Sequence, residues 1–172
     1  MDAGGEAAVH ASLAWRMRCA SADCPLEDPP ARTIDHFNGQ DGHEILCDLQ
    51  FNGETRRMDL TARSASGYGI EVRGAQIGPE GGRLMGSFCQ IRVFDPDDVT
   101  ILTSCSSSNP TADTACQINR VDIRDVDGVP TLLAELRCAG APEEGRPSEL
   151  RDVTSATASE GAQLTFTGCA GL

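Results

Sequence analysis

Lysine is absent. All fourteen basic residues are arginine, against 26 acidic ones, for a formal charge of −12. Without lysine there is no phosphate-loop lysine and no Schiff-base lysine. The acidic balance makes nucleic acid and anionic membrane surfaces poor partners, because neither finds the basic patch it needs. Arginine-only usage with abundant Ala, Gly and Asp fits the codon bias of a GC-rich bacterial genome. Aromatic residues are also few, at 4%, so the core must rest on Val, Ile, Leu and Ala. No apolar run approaches the ~20 residues of a membrane-spanning helix. The start, "MDAGGEAAVHASLAWRM", lacks the basic stretch and apolar run of an export signal. A Gly-x-Ser-x-Gly nucleophile turn and an HExxH zinc helix are both missing.

Cysteine, by contrast, is plentiful. Eight stand at positions 19, 24, 47, 89, 105, 116, 138 and 169. A zinc site would want two close Cys pairs or Cys beside His. Only Cys19 and Cys24 come near that spacing, and no second pair accompanies them. The reading adopted is four disulfides, and with them an oxidising compartment: secreted, periplasmic or outer-surface. Met1 is then expected to begin a shortened chain from which the export signal has been removed. Eight cysteines allow 105 connectivities. The favoured one joins Cys19 to Cys24, Cys47 to Cys169, Cys89 to Cys138 and Cys105 to Cys116, two short loops and two long-range staples.

Period-two alternation runs along most of the chain. In "VHASLAWRMRC", Val9, Ala11, Leu13, Trp15, Met17 and Cys19 share one face, as in a half-buried strand. "HEILCDLQF" repeats the pattern and ends at Asn52-Gly53, a hairpin turn into "ETRRMDLTARS". "YGIEVRGAQI", "RLMGSFCQIRVF" (bulged near Gly86), "VTILTSC", "CQINRVDIRD", "VPTLLAELRC", "SELRDVTSAT" and "AQLTFTGC" follow. "SSSNPTADTA" and "APEEGRP" read as loops, and "DVDG" as a hairpin turn. The expectation is an all-β chain of roughly nine to eleven strands at about twelve-residue spacing, an antiparallel sandwich or jelly roll stapled by disulfides. With no linker and no repeat, residues 1–172 are expected to form one domain.

The segment "TIDHFNGQDGHEILC" gathers two of the three histidines with several carboxylates. Asp35, His36, Asp41, His43 and Glu44 could be metal ligands, since imidazole with carboxylate suits zinc or another transition ion. His36 and His43 lie seven apart across two turns, so nothing in the spacing itself brings them together. The competing reading makes Asn38-Gly39 and Asp41-Gly42 turn dipeptides, and it is preferred. "FDPDD", with Asp95 and Asp97, and "RDVDG", with Asp125 and Asp127, could each hold calcium through loop oxygens; turn-forming aspartate explains them equally well. Trp15 falls on the apolar face of its strand and reads as core. Tyr68 and Phe37 are the aromatic rings available for an exposed platform.

The strings "AWRMRC", "HEILCDL", "YGIEVRGA", "SFCQIRVFD", "TSCSSSNPTADTACQI", "LLAELRC" and the terminal "LTFTGC" together resemble uncharacterised cysteine-rich secreted proteins and lipoproteins of myxobacteria-type genomes. The resemblance covers most of the chain as a pattern of cysteines on alternating strands. It implies a surface or secreted β-domain and supplies no catalytic residues. A lipid-attachment cysteine of the kind such lipoproteins carry is not visible.

The function expected is a non-catalytic extracellular or cell-surface module, structural or binding, whose partner is a protein or a glycan. The alternatives are a hydrolase of extracellular polymer using two loop carboxylates, and a calcium- or zinc-dependent adhesion module. Unfolded, unreduced protein titrated for free sulfhydryls is expected to show none of its eight cysteines reactive. Most of them reacting would remove both the inferred compartment and the staples.

Overall fold

A sheet face that buries Ala11, Leu13, Trp15 and Met17 needs another apolar face to cover it. In a chain this poor in helix-forming pattern, that face must belong to other strands. The computed structural model describes residues 8–78, 81–84, 89–97, 99–106 and 115–172. Among these lie twelve strands: β1 (His10–Cys19), β2 (Arg32–Phe37), β3 (Glu44–Asn52), β4 (Thr55–Arg63), β5 (Gly69–Gly78), β6 (Gly81–Leu84), β7 (Gln90–Phe94), β8 (Ile101–Ser106), β9 (Cys116–Val126), β10 (Val129–Glu143), β11 (Arg146–Thr154) and β12 (Ala162–Thr167). The all-β class holds.

The strands are hydrogen-bonded into one sheet, not two separate ones, in the order β11-β1-β12-β10-β8-β9-β6-β5-β4-β3, with β2 beside β1 and β7 between β5 and β8. Buried side chains from both ends of that order, such as Trp15 and Phe166 with Leu60 and Val72, belong to a single apolar cluster. The sheet therefore curls so that its inner face packs on itself. Trp15 is fully buried, as its alternation predicts.

Four strands differ from the sequence reading. β2 was hidden in a stretch read as turns. The segment read as a single strand from Arg83 to Phe94 contributes β6 and β7, and the bulge expected near Gly86 lies outside the described residues, as does most of the "SSSNPTADTA" loop. β10 does not stop at Cys138. It bends at Gly140, where φ is +66 and the register slips, then leaves β12 to pair with β11. "APEEGRP" is consequently mostly strand, with only Glu144 and Gly145 in the turn.

A buried ion pair explains that extension. Arg151 is fully buried; its Nε–H donates to Glu143 Oε1 at 2.7 Å, and its other nitrogens donate to Asp28 Oδ1 at 2.6 Å and Leu26 O at 2.8 Å. Arg146 meets the second Glu143 oxygen at 2.9 Å. Asp28 Oδ1 also accepts the Cys19 backbone N–H at 2.7 Å. One guanidinium thus pins the Pro- and Asp-rich loop after β1 to the β10–β11 hairpin, and that loop's mouth is closed by Cys19–Cys24.

All eight cysteines are bonded. Cys19–Cys24 and Cys47–Cys169 are as expected. The other two pairs exchange partners: Cys89 bonds Cys105 and Cys116 bonds Cys138, in place of Cys89–Cys138 and Cys105–Cys116. Register is the reason. Gln90 pairs with Ser104, which sets Cys89 opposite Cys105; Cys105 neighbours Cys116 across a parallel pairing; and Cys116 is directly opposite Cys138. Four cysteines form one row across four strands, and each bonds the antiparallel neighbour facing it.

Cys47–Cys169 closes the far edge. It draws the C-terminal tail against β3, where Leu49 N–H donates to Ala170 O at 2.9 Å and Ala170 N–H to Cys47 O at 3.1 Å. Gly171 sits at φ +87, and a Cβ there would come within 2.0 Å of Leu49 O, so the cap requires glycine. Asn38 Oδ1 takes the Ile45 N–H at 3.0 Å. Two of the edge strand's donors, the Ile45 and Leu49 N–H groups, are thereby occupied within the chain, which blunts edge-to-edge association.

Substituting Arg151→Ala is expected to cost about 3–5 kcal/mol in urea unfolding, because it leaves Glu143 buried beside one remaining partner. Arg151→Met with Glu143→Leu should recover most of that loss.

Candidate functional site

Pairing register places one row of side chains across five strands of the outer face. Phe37 on β2 is opposite His10 on β1, His10 opposite Thr167 on β12, Thr167 opposite Thr131 on β10, and Thr131 opposite Arg124 on β9. The next row reads Asp35, Ser12, Thr165, Leu133 and Asp122. Beyond the first row the β9–β10 hairpin continues to Val126 opposite Val129. Its turn, Asp127-Gly128, has φ of +52 and +81, the Asp-Gly geometry that matches strand twist.

The first row, with Leu133 and Thr165 of the second, lines an open groove of about 720 Å³, walled by Phe37, His10, Val126, Val129, Leu133 and the threonines. The wall is mostly apolar. Phe37, Val126 and Val129 are 49, 41 and 46% exposed, and three exposed large apolar side chains in one concavity are a stronger signal than the same residues scattered. At the mouth, His10 Nε2–H donates to Asp35 Oδ1 at 2.7 Å and its ring packs on Phe37 with centroids 4.7 Å apart. No hydroxyl bonds to His10 among the described residues, and the Asp35 bond holds the His10 ring against Phe37.

The structure sorts the residues singled out from sequence. Asp95 is buried and its carboxylate is held by Arg32, Nε to Oδ2 at 2.7 Å and a second nitrogen to Oδ1 at 2.9 Å. The Asp95 hydrogen bond, with the charges of Asp95 and Asp97, pushes Arg32 above the ordinary guanidinium pKa. Asp97, exposed, donates its backbone N–H to Asp95 Oδ1 at 3.1 Å and lies 3.6 Å from Arg32. An arginine stands where the calcium reading of "FDPDD" wanted a cation. Asp125 and Asp127 are exposed on the hairpin, and Asp127 serves the turn. Asp41 is exposed at φ +50 inside a 3-10 turn, Gln40–Gly42, flanked by Gly39 and Gly42 at positive φ. The turn chemistry of "NGQDG" is therefore found.

The two expected platform rings do not form one surface. Tyr68 is half-buried, edge-on to Trp15 with centroids 6.0 Å apart and under the Arg32 guanidinium at 4.8 Å. Arg32 and Phe37 stand at opposite ends of β2, about 16 Å apart along the strand. Phe37 alone lines the groove. Sequence reading missed Val126 and Val129; their signal was apolar residues directly flanking an Asp-Gly turn, where polar ones are usual.

One pairing that the spacing did not suggest is present. His36 and His43 meet with ring centroids 3.7 Å apart and planes tilted by 41°. Among the described residues, no group of three or more His, Cys, Asp or Glu is placed to hold a metal, and no helix is long and apolar enough to cross a membrane. Comparison with family models, curated proteins and solved structures gives no match.

Asp95→Asn is expected to lower stability by about 2 kcal/mol, through loss of charge-assisted hydrogen bonds to a partly exposed arginine. Calcium and EGTA should leave the wild-type melting temperature unchanged; a calcium-dependent rise would restore the adhesion reading.

Proposed function

We propose that the protein is a non-catalytic binding module working outside the cytoplasm, and that it seats an apolar segment of a protein partner in the groove between Phe37 and the β9–β10 hairpin. The observation that carries this reading is the gathering of Phe37, Val126 and Val129, all exposed, along one groove. A volume of about 720 Å³ lies within the range of ligand sites, which are apolar with a few oriented polar groups. His10, Arg124 and the threonine hydroxyls supply those groups. A glycan would ask for a higher density of hydrogen-bonding side chains than this wall offers, so a protein is the better occupant. A glycosidase needs two carboxylates flanking the bond to be cut. Among the described residues Asp127 is the one carboxylate that lines the groove, and Asp35 at its mouth is engaged by His10.

The placement outside the cytoplasm rests on the four disulfides, three of them bridging or anchoring strands of the sheet, which a reducing compartment would not sustain. An acidic surface around an apolar groove favours a partner with basic residues flanking its apolar anchor, because charge complementarity speeds encounter and sets register.

The test is selection of random displayed peptides on the folded, oxidised protein, with a glycan array in parallel. Enriched peptides are expected to carry an apolar anchor beside Arg or Lys. Phe37→Ser and Val129→Asp should each weaken them about tenfold. Both positions are exposed, so unchanged urea unfolding should accompany the loss. Peptides that bind both variants as they bind wild type, or specific ligands found only among the glycans, would overturn the reading.

A further inference from the structure

A second concavity lies on β4, β5 and β7, strands that take no part in the groove. Arg57, Arg73, Gly74, Gln76 and Gln90 line a pocket there of about 280 Å³. A β-bulge shapes it. Met58 pairs with Ala75 and Leu60 with Val72, so Asp59 faces two residues, Arg73 and Gly74. Gly74 takes φ of +71, and its N–H donates to Asp59 Oδ1 at 2.8 Å. A bulge of this kind re-aims the side chain it carries, and the glycine puts none of its own into the space. Arg57 pairs with Gln76, and Arg73 with Gln90. The two pairs take successive outward rows. Diagonal neighbours in such rows stand about 7–8 Å apart, within reach of long side chains.

The charge of this pocket runs against that of the chain. Arg57 and Arg73 are both exposed. The side chains of Arg73, Gln76 and Gln90 have no hydrogen-bond or ion-pair partner among the described residues. Asp59 is the carboxylate beside them, and it is engaged twice, by the Gly74 N–H and by Arg57 Nε at 3.2 Å. That contact occupies one edge of the Arg57 guanidinium and leaves its two terminal nitrogens unpartnered. Asp48, opposite Asp59 on β3, is taken by Gln50 Nε2 at 2.6 Å and does not line the pocket. Two guanidiniums thus stand against one carboxylate, in a chain whose net charge is −12.

We propose that this pocket binds one oxyanion, a carboxylate or a phosphate or sulfate monoester, carried on a small hydroxylated molecule of the sugar-acid class. Guanidinium nitrogens hold such groups through charge-assisted, often paired hydrogen bonds. The Gln76 and Gln90 amides each bring donors and an acceptor, which is what a hydroxyl beside the acid group requires. A polyanion is disfavoured. The pocket has one positive charge in excess, and the chain's surplus of acidic residues repels a longer run of anions. A single acid group on an otherwise neutral sugar escapes that repulsion. The pocket shares no residue with the apolar groove, so it does not depend on what the groove binds.

Nitrogen-15 spectra of the oxidised full chain, titrated with glucuronate, glucose 6-phosphate, inorganic sulfate and neutral glucose, test the site. The Nε–H resonances of Arg57 and Arg73 are expected to move together and saturably with either sugar acid, and the Gln76 and Gln90 amides with them. Sulfate should bind more weakly, and glucose should move none of the four. Arg57→Gln and Arg73→Gln should each weaken glucuronate binding about tenfold, the effect of losing one charge-assisted hydrogen bond. Arg18→Gln, at an exposed position of β1, should leave it unchanged. Both pocket arginines are exposed, so urea unfolding should change little in either variant. No saturable shift with either sugar acid, sulfate bound as tightly as both, glucose moving the same resonances, or wild-type affinity in both the Arg57 and Arg73 variants would each overturn the proposal.

Discussion

The period of two along a paired strand is the constraint from which the rest follows. It decides that Ala11, Leu13, Trp15 and Met17 point one way and His10 and Ser12 the other. Once the inner residues of a dozen strands are fixed, a chain with few aromatics has one economical way to cover them, which is to curl the sheet over itself. The single apolar cluster is the result. Register then acts as a second constraint. It sets Cys116 opposite Cys138 and Thr167 opposite Thr131, and so writes both the disulfide row on the inside and the groove row on the outside.

Alternation was visible in the sequence; register was not. Strand faces, the Trp15 core position and the Asp-Gly and Asn-Gly turns were legible because each depends on residues close in the chain. Disulfide partners depend on which strands neighbour each other, and here Cys89, Cys105, Cys116 and Cys138 stand side by side. Any reading without the order of β7, β8, β9 and β10 must guess among them. β2 was obscured for a similar reason: "RTIDHF" alternates, but its outer residues include Phe37 and its inner ones include His36, so hydrophobicity does not mark the faces. The extension of β10 through Glu143 could not be seen from local pattern either, because a buried carboxylate reads as a loop until its arginine, eight residues on, is placed against it.

Those inversions of local pattern coincide with the groove and with the contact between two histidines. Where an outward position carries Phe37, Val126 or Val129 in place of a polar residue, the outer face becomes a groove. Where an inward-turned position at the end of β2 carries His36 in place of an aliphatic residue, it meets a second imidazole. Natural sequences depart from local consistency chiefly where function or strain demands it. By that criterion Arg151 is different: it also breaks pattern, yet its bonds are spent on joining the loop after β1 to the β10–β11 hairpin, which marks it as architecture.

The distribution of charge carries the argument one step further. Of the arginines, Arg151 and Arg32 are committed to buried carboxylates, and others, such as Arg63 with Glu71 and Arg120 with Glu135, lie against acidic neighbours on the surface. A chain with 26 acidic residues and fourteen arginines that pairs such cations with its own carboxylates is left with an excess of acidic side chains as the unpaired charge. Such a surface raises the local concentration of cations and basic segments near it and repels other copies of itself. The apolar groove is then a place where an approaching partner would find something other than like charge. It offers desolvation without repulsion.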